Sequence, residues 1–176
     1  TFIVTAGMVK ELGGKTFALF IAFLGLILTG YLRIHFLFMP NFLEVFFWSL
    51  SAYFLLRFIN TKQHQYLYFL STALALGWYS KYSVLFFIAG LLLSIAFTHH
   101  RKLFQNKHFW GALLMGLVLI LPNIIWQGLH NWPLVHHMAE LKETQLQYIS
   151  KSDFIQQQFI MLLPVLCRFY FMTSPT

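Results

Sequence analysis

The sequence predicts an all-α, polytopic transmembrane helical bundle, and three observations carry that expectation. Hydrophobic residues make up 59% of the 176 positions and charged residues 10%, with a mean hydropathy of +0.67. A water-soluble domain of this size has no means of hiding so much apolar surface. The apolar residues also come in continuous runs rather than in the alternation that barrel strands require. Finally, aromatic residues reach 19% of the chain, a surplus suited to lipid-facing and interfacial positions.

Six spanning or near-spanning segments can be read in order, over about residues 16–33, 42–58, 66–79, 83–98, 109–127 and 154–172. Ahead of them, Thr1 to Met8 has the character of a helix already under way. Gly13-Gly14 and Pro40 punctuate the first two joints. A full crossing takes about 20 residues, so the third and fourth segments are short. They meet at Gly77-Trp-Tyr-Ser-Lys-Tyr-Ser83, a turn whose lysine and aromatics suit a membrane interface or a polar cavity. Pro122 and Pro164 fall inside helical patterns and predict kinks, which membranes tolerate because neighbouring groups re-satisfy the backbone. Residues 128–153 form the longest polar stretch and are expected as an interfacial helix plus loop. With apolar runs at both ends and no start methionine, residues 1–176 read as a transmembrane fragment of a longer protein. On that reading, N-terminal and C-terminal parts of the parent lie beyond the fragment.

A net charge of +7 is compatible with nucleic acid, but the basic residues fall between apolar segments and form no patch. Topology is the better reading, and no nucleic-acid partner is expected. Counted by alternating side, Lys10, Lys15, Arg57, Lys62, Arg101, Lys102, Lys107 and Arg168 share one face. Arg33, Lys81, Lys142 and Lys151 share the other. The positive-inside rule makes the first face cytoplasmic. The opposite face then collects Arg33, His35, Asn41, Glu44, Lys81, His130, Trp132, His136 and His137, the mixture of titratable and aromatic groups that a site at the membrane–water boundary needs.

Glu44 stands out among them. An acid at the centre of a membrane helix costs ~2.5–3.5 kcal/mol on insertion scales, so such a residue reads as functional by default. Asn41 and Glu44 are three apart and can project toward one side of a helix start. There the carboxylate can hold a divalent cation, position an acceptor hydroxyl, or do no more than neutralise Arg33 near a helix N-terminus. Lys81 is placed to meet a lipid-linked phosphate as a point charge, or to snorkel among its aromatic neighbours. His130, Trp132 and His136 suit the wall of a sugar site, or an aromatic anchor at the interface. Zinc is poorly supported, since no Cys or HExxH spacing accompanies the histidines. His99-His-Arg-Lys102 reads as a topology signal with attraction for anionic lipid. The single cysteine, Cys167, has no internal disulfide partner and reads as a small packing residue.

Three segments together resemble the bacterial family 39 glycosyltransferases. His35-Phe-Leu-Phe-Met-Pro-Asn-Phe-Leu-Glu44, continuing to Arg57, is similar to their entry into a membrane helix that leaves at an arginine. Leu76-Gly-Trp-Tyr-Ser-Lys-Tyr82 resembles their "G-L-x-x-x-S-K-Y" stretch, and Leu121-Pro-Asn-Ile-Ile-Trp-Gln-Gly-Leu-His-Asn-Trp-Pro133 resembles "P-N-x-x-W-x-x-x-H-x-W". Lys10-Glu-Leu-Gly-Gly-Lys15 fits the loop before them. Relatives include protein O-mannosyltransferases and the aminoarabinose transferases that modify lipid A.

The resemblance implies a partial GT-C membrane fold, in a multi-pass protein of the bacterial cytoplasmic (inner) membrane. It implies transfer of a sugar from a polyprenyl-phosphate donor to a glycan, lipid or protein acceptor at the outer face. The displacement would be inverting, and either metal-dependent or electrostatically assisted. The main base would lie upstream of Thr1, so the fragment is expected to be inactive alone. Lys81, His35 and Arg33 would bind the donor phosphate, and Glu44 and Asn41 would act at the reacting centre, with Glu44 a candidate ligand for a divalent metal. His130, Trp132 and His136 would wall the sugar and acceptor. Many relatives carry Asp where this chain has Asn41, and Glu44 can supply that charge one helical turn later. A transporter and a non-catalytic membrane scaffold are the competing functions. Transport would call for charges near mid-membrane and for related inverted halves, and no internal repeat is visible.

Overall fold

The computed structural model describes residues 1–28, 41–144 and 150–162, and every regular element among them is helical. Helices α1 (Phe2–Glu11) and α2 (Thr16–Leu28) flank a turn at Gly13, whose φ of +79° suits a residue with no Cβ. Then come α3 (Asn41–Thr61), α4 (Gln65–Ser80) and α5 (Val84–Phe97). A 3₁₀ segment (His99–Gln105) leads to α6 (Lys107–Leu129), followed by α7 (Pro133–Thr144) and α8 (Lys151–Leu162). Arg33, His35, Pro40, Pro164, Cys167 and Arg168 lie outside the described residues.

Helices α3 and α6, with mean hydropathies of 1.5 and 2.0, are long and apolar enough to cross a membrane. Helix α5 and the 3₁₀ segment qualify together as a third, bent by 108° at their junction. Helix α2 is apolar but shorter. Helix α3 runs past Arg57 to Thr61 because its polar end finds partners on α1. Arg57 Nε lies 3.2 Å from Glu11 Oε1, its guanidinium donates to Tyr53 Oη at 3.1 Å and Tyr66 Oη at 2.7 Å, and Asn60 Nδ2 donates to Glu11 Oε2 at 2.9 Å. A polar cluster that would otherwise end an apolar run thus ties α1, α3 and α4 together. Helix α6 starts at Lys107 because Asn106 Oδ1 caps the His108 N–H at 2.9 Å, and it continues through Pro122 to Leu129.

Helix α4 packs against α3 on one side and α6 on the other. Its buried positions are mostly small, namely Ser71, Ala73, Ala75 and Gly77. In lipid, where no hydrophobic force pushes helices together, small residues act by letting backbones approach and gain dispersion contact. A Cβ on Gly77 would stand 3.2 Å from Val84 Cγ2 and 3.4 Å from Phe47 Cβ. On the other side, Ser71 Oγ donates to the Ala112 carbonyl, and a Cβ on Gly116 would stand 2.5 Å from that hydroxyl. A core of Phe58, Leu67, Ile95, Leu103 and Ala112 closes the end of the bundle near the α3–α4 turn. Large side chains such as Phe17, Phe86, Phe97 and Leu114 remain exposed, as expected of a surface solvated by acyl chains. Helix α7 buries none of its residues, and it occupies part of the stretch read from sequence as an interfacial helix plus loop.

Candidate functional site

Asn41 opens α3 and Glu44 lies in its first turn, where the partial positive charge of the helix N-terminus favours a carboxylate. Helix α4 stops where Lys81 turns extended (φ −163°, ψ 132°) while its N–H still bonds to the Gly77 carbonyl. Helix α5 begins at Val84, so Lys81, Tyr82 and Ser83 form a tight connection. The close approach at Gly77 brings that connection beside the start of α3. Lys81 Nζ lies 3.1 Å from Glu44 Oε2 and donates to Asn41 Oδ1 at 3.1 Å. Ser83 Oγ donates to Glu44 Oε1. Both carboxylate oxygens are therefore engaged. The Glu44 side chain is 12% exposed and that of Lys81 46%, so the acid is largely covered while the ammonium keeps an open side. An ammonium has three N–H donors, and these two partners use two of them.

The same turn reaches α6. Tyr82 Oη donates to Asn123 Oδ1 at 3.1 Å, and Trp78 Nε1 donates to the same oxygen at 2.9 Å. Gln127, 6% exposed, donates from Nε2 to Tyr82 Oη at 2.7 Å and accepts from the Leu134 N–H at 3.3 Å. One run of polar contacts thus leads from the start of α3, through the α4–α5 turn, along the end of α6 and into α7.

Of the residues singled out from sequence, Asn41, Glu44 and Lys81 come together directly. His130 stacks on Trp126 with ring centroids 4.5 Å apart, and its Nδ1 lies 2.8 Å from the Trp126 carbonyl. Trp132 takes a φ of 54° and donates its N–H to the Gln127 carbonyl at 2.8 Å. His136 is exposed in the first turn of α7. The contacts that join this corner to the Lys81 turn run through Gln127. Arg33 and His35 are outside the described residues. Sequence reasoning missed Ser83, Gln127 and the bridging roles of Tyr82 and Asn123. All four lie inside stretches quoted above, without a role assigned to them there.

Both oxygens of Glu44, the candidate ligand for a divalent cation, already have partners within the chain. Glu44 is held by an ammonium and a hydroxyl, and among the described residues no group of three or more His, Cys, Asp or Glu could hold a metal ion.

The model of the dolichyl-phosphate-mannose-protein mannosyltransferase family matches residues 1–126. That stretch contains Asn41, Glu44, Lys81, Ser83 and Asn123. No curated protein and no solved structure matches the chain.

Proposed function

The chain belongs to the dolichyl-phosphate-mannose-protein mannosyltransferase family, and on that premise we propose that it forms part of a multi-pass enzyme of the bacterial cytoplasmic membrane. The enzyme transfers a sugar from a polyprenyl-phosphate donor to a glycan, lipid or protein acceptor at the outer face. The supporting observation is the Lys81 ammonium, held by Glu44 and Asn41 at 3.1 Å each and still about half exposed.

In the reaction, the bond from sugar C1 to the phosphate oxygen breaks, and a bond from C1 to an acceptor oxygen forms. The polyprenyl phosphate leaves with the bonding electron pair, and the acceptor proton passes to a base. Negative charge therefore grows on the phosphate while positive character grows at C1. Lys81 stabilises the departing phosphate, an interaction that strengthens as charge develops and as water is excluded. Glu44 and Asn41 fix the ammonium in place and help orient the hydroxyls that approach it. Ser83 holds the far oxygen of Glu44, so the carboxylate does not swing away. His130, Trp132 and His136 stand on the adjoining corner as a wall for sugar and acceptor, and Arg33 and His35 are assigned to binding the donor phosphate.

The test uses the full-length protein in vesicles supplied with a polyprenyl-phosphate sugar, with release of polyprenyl phosphate as the readout. Lys81→Ala is expected to lower turnover by about 10²-fold, the scale seen when one transition-state donor is lost, and Glu44→Gln is expected to lower it as well. Wild-type turnover in both variants at normal expression rejects the assignment.

A further inference from the structure

At the end of α4 remote from Lys81, a cavity of about 370 Å³ opens between the end of α3, the last turn of α5 and the 3₁₀ segment. Exposed Lys62, His99, His100 and Lys102 stand on its lining, and buried Phe58 and Leu103 form its floor. No carboxylate is among the lining residues. The acids of the described chain are engaged or placed elsewhere: Glu11 with Arg57, Glu44 with Lys81, and Glu140, Glu143 and Asp153 on α7 and α8. The positive charge around this cavity thus has no internal counter-ion among the described residues.

Two features bear on what would fill it. The 3₁₀ segment leaves α5 at 108°, so its cations lie where an apolar helix gives way to a segment running across the helix direction. That is headgroup level for a helix that crosses the bilayer. The lining is also two-sided, with ammonium and imidazole groups above an apolar floor. A free inorganic anion would use only the first, whereas a phospholipid uses both. Basic pockets between membrane helices have this character where they hold anionic headgroups.

We propose that this cavity binds an anionic phospholipid. Lys62 and Lys102 meet the phosphate oxygens as point charges, His99 and His100 donate ring N–H groups, and an acyl chain lies along Phe58 and Leu103. The site is separate from the Lys81 cluster and does not depend on the proposed catalysis.

The experiment places the full-length protein in nanodiscs of equimolar phosphatidylglycerol and phosphatidylcholine with the same acyl chains, and native mass spectrometry reads the lipid retained on release. The wild type is expected to retain phosphatidylglycerol in preference. Lys62→Gln/Lys102→Gln should cut that enrichment by about fivefold or more, the weight of one or two interfacial charges. Lys62→Arg/Lys102→Arg should keep it, which separates loss of charge from loss of folding. Arg101→Gln/Lys107→Gln removes two neighbouring charges that do not line the cavity and should leave the enrichment unchanged. No preference in the wild type, an equal loss in the Arg101/Lys107 variant, or loss in the arginine variant would overturn the proposal. Displacement of the retained lipid by millimolar inorganic phosphate would overturn it too, since a free anion would then be the ligand.

Discussion

Glu44 and Lys81 pose a question that single substitutions answer poorly, because an ion pair can serve stability, chemistry or both. The pair has one partner about half exposed, and exposed pairs contribute only ~0.2–1 kcal/mol. Lys81→Ala is therefore expected to cost less than about 1 kcal/mol in unfolding experiments while abolishing most donor turnover. The reversed pair, Glu44→Lys with Lys81→Glu, should regain part of the stability, since the helix N-terminus disfavours a cation at position 44, and none of the turnover, because the anion would then face a carboxylate. Recovery of turnover in the reversed pair would show that the contact only braces the fold. Tyr82 behaves differently. Its hydroxyl accepts from Gln127 Nε2, and Gln127 is 6% exposed, so Tyr82→Phe strands a buried donor and should lower stability by about 1 kcal/mol, as thermal unfolding in detergent would read. Legibility at this scale followed charge, with Asn41 read through its three-residue spacing from Glu44. Glu44, Asn41 and Lys81 were visible because polar groups amid apolar runs demand a reason. Ser83 and Gln127 are neutral, and nothing in their spacing marks them as partners across about forty residues.

The helices themselves were legible where apolar runs were long, and less so at their ends. The sequence reading closed the second segment near Arg57, whereas α3 continues to Thr61 because Glu11 satisfies Arg57 and Asn60. Residues 99–102 read as a basic inner loop and prove to lie in the 3₁₀ segment His99–Gln105, started by Thr98 Oγ1 accepting from the His100 N–H at 3.4 Å. So short an element leaves no periodicity to detect. Helix α4 carries the structural weight of the site, since Gly77 sets how near the Lys81 turn comes to the start of α3. A bulky side chain there must displace Val84 or Phe47, and overpacking of this kind costs about 1–3 kcal/mol. Gly77→Leu is thus expected to lower the melting temperature and to reduce donor turnover with Glu44 and Lys81 both intact. Wild-type turnover in Gly77→Leu would mean that the α3–α4 approach is not what assembles the site.

At the scale of the whole molecule, helical class and membrane residence followed from composition alone, but neighbour relations did not. One sequence does not say which helices touch, and the joining of three distant motifs depends on α4 lying between α3 and α6. That arrangement gives the molecule two unlike ends. Helix α4 has 16 residues and so spans about 24 Å, with the Lys81 cluster at its C-terminal end and the Lys62–Lys102 cavity near its N-terminal end. Helix α6, at 23 residues, covers about 34 Å, enough for a hydrocarbon core of about 30 Å. Lys102 and Lys142 should then lie on opposite sides of the membrane, since α7 follows the end of α6 that contacts the Lys81 turn. The measurement is single-cysteine labelling in the full-length protein with Cys167→Ser. A membrane-impermeant maleimide should modify Lys142→Cys in intact spheroplasts, and Lys102→Cys only after permeabilisation. The reverse pattern would put Lys81 on the cytoplasmic side and contradict the charge count on which the outer-face assignment rests. Labelling of both from one side would break the two-ended arrangement itself, because no crossing of α6 could then separate the two lysines.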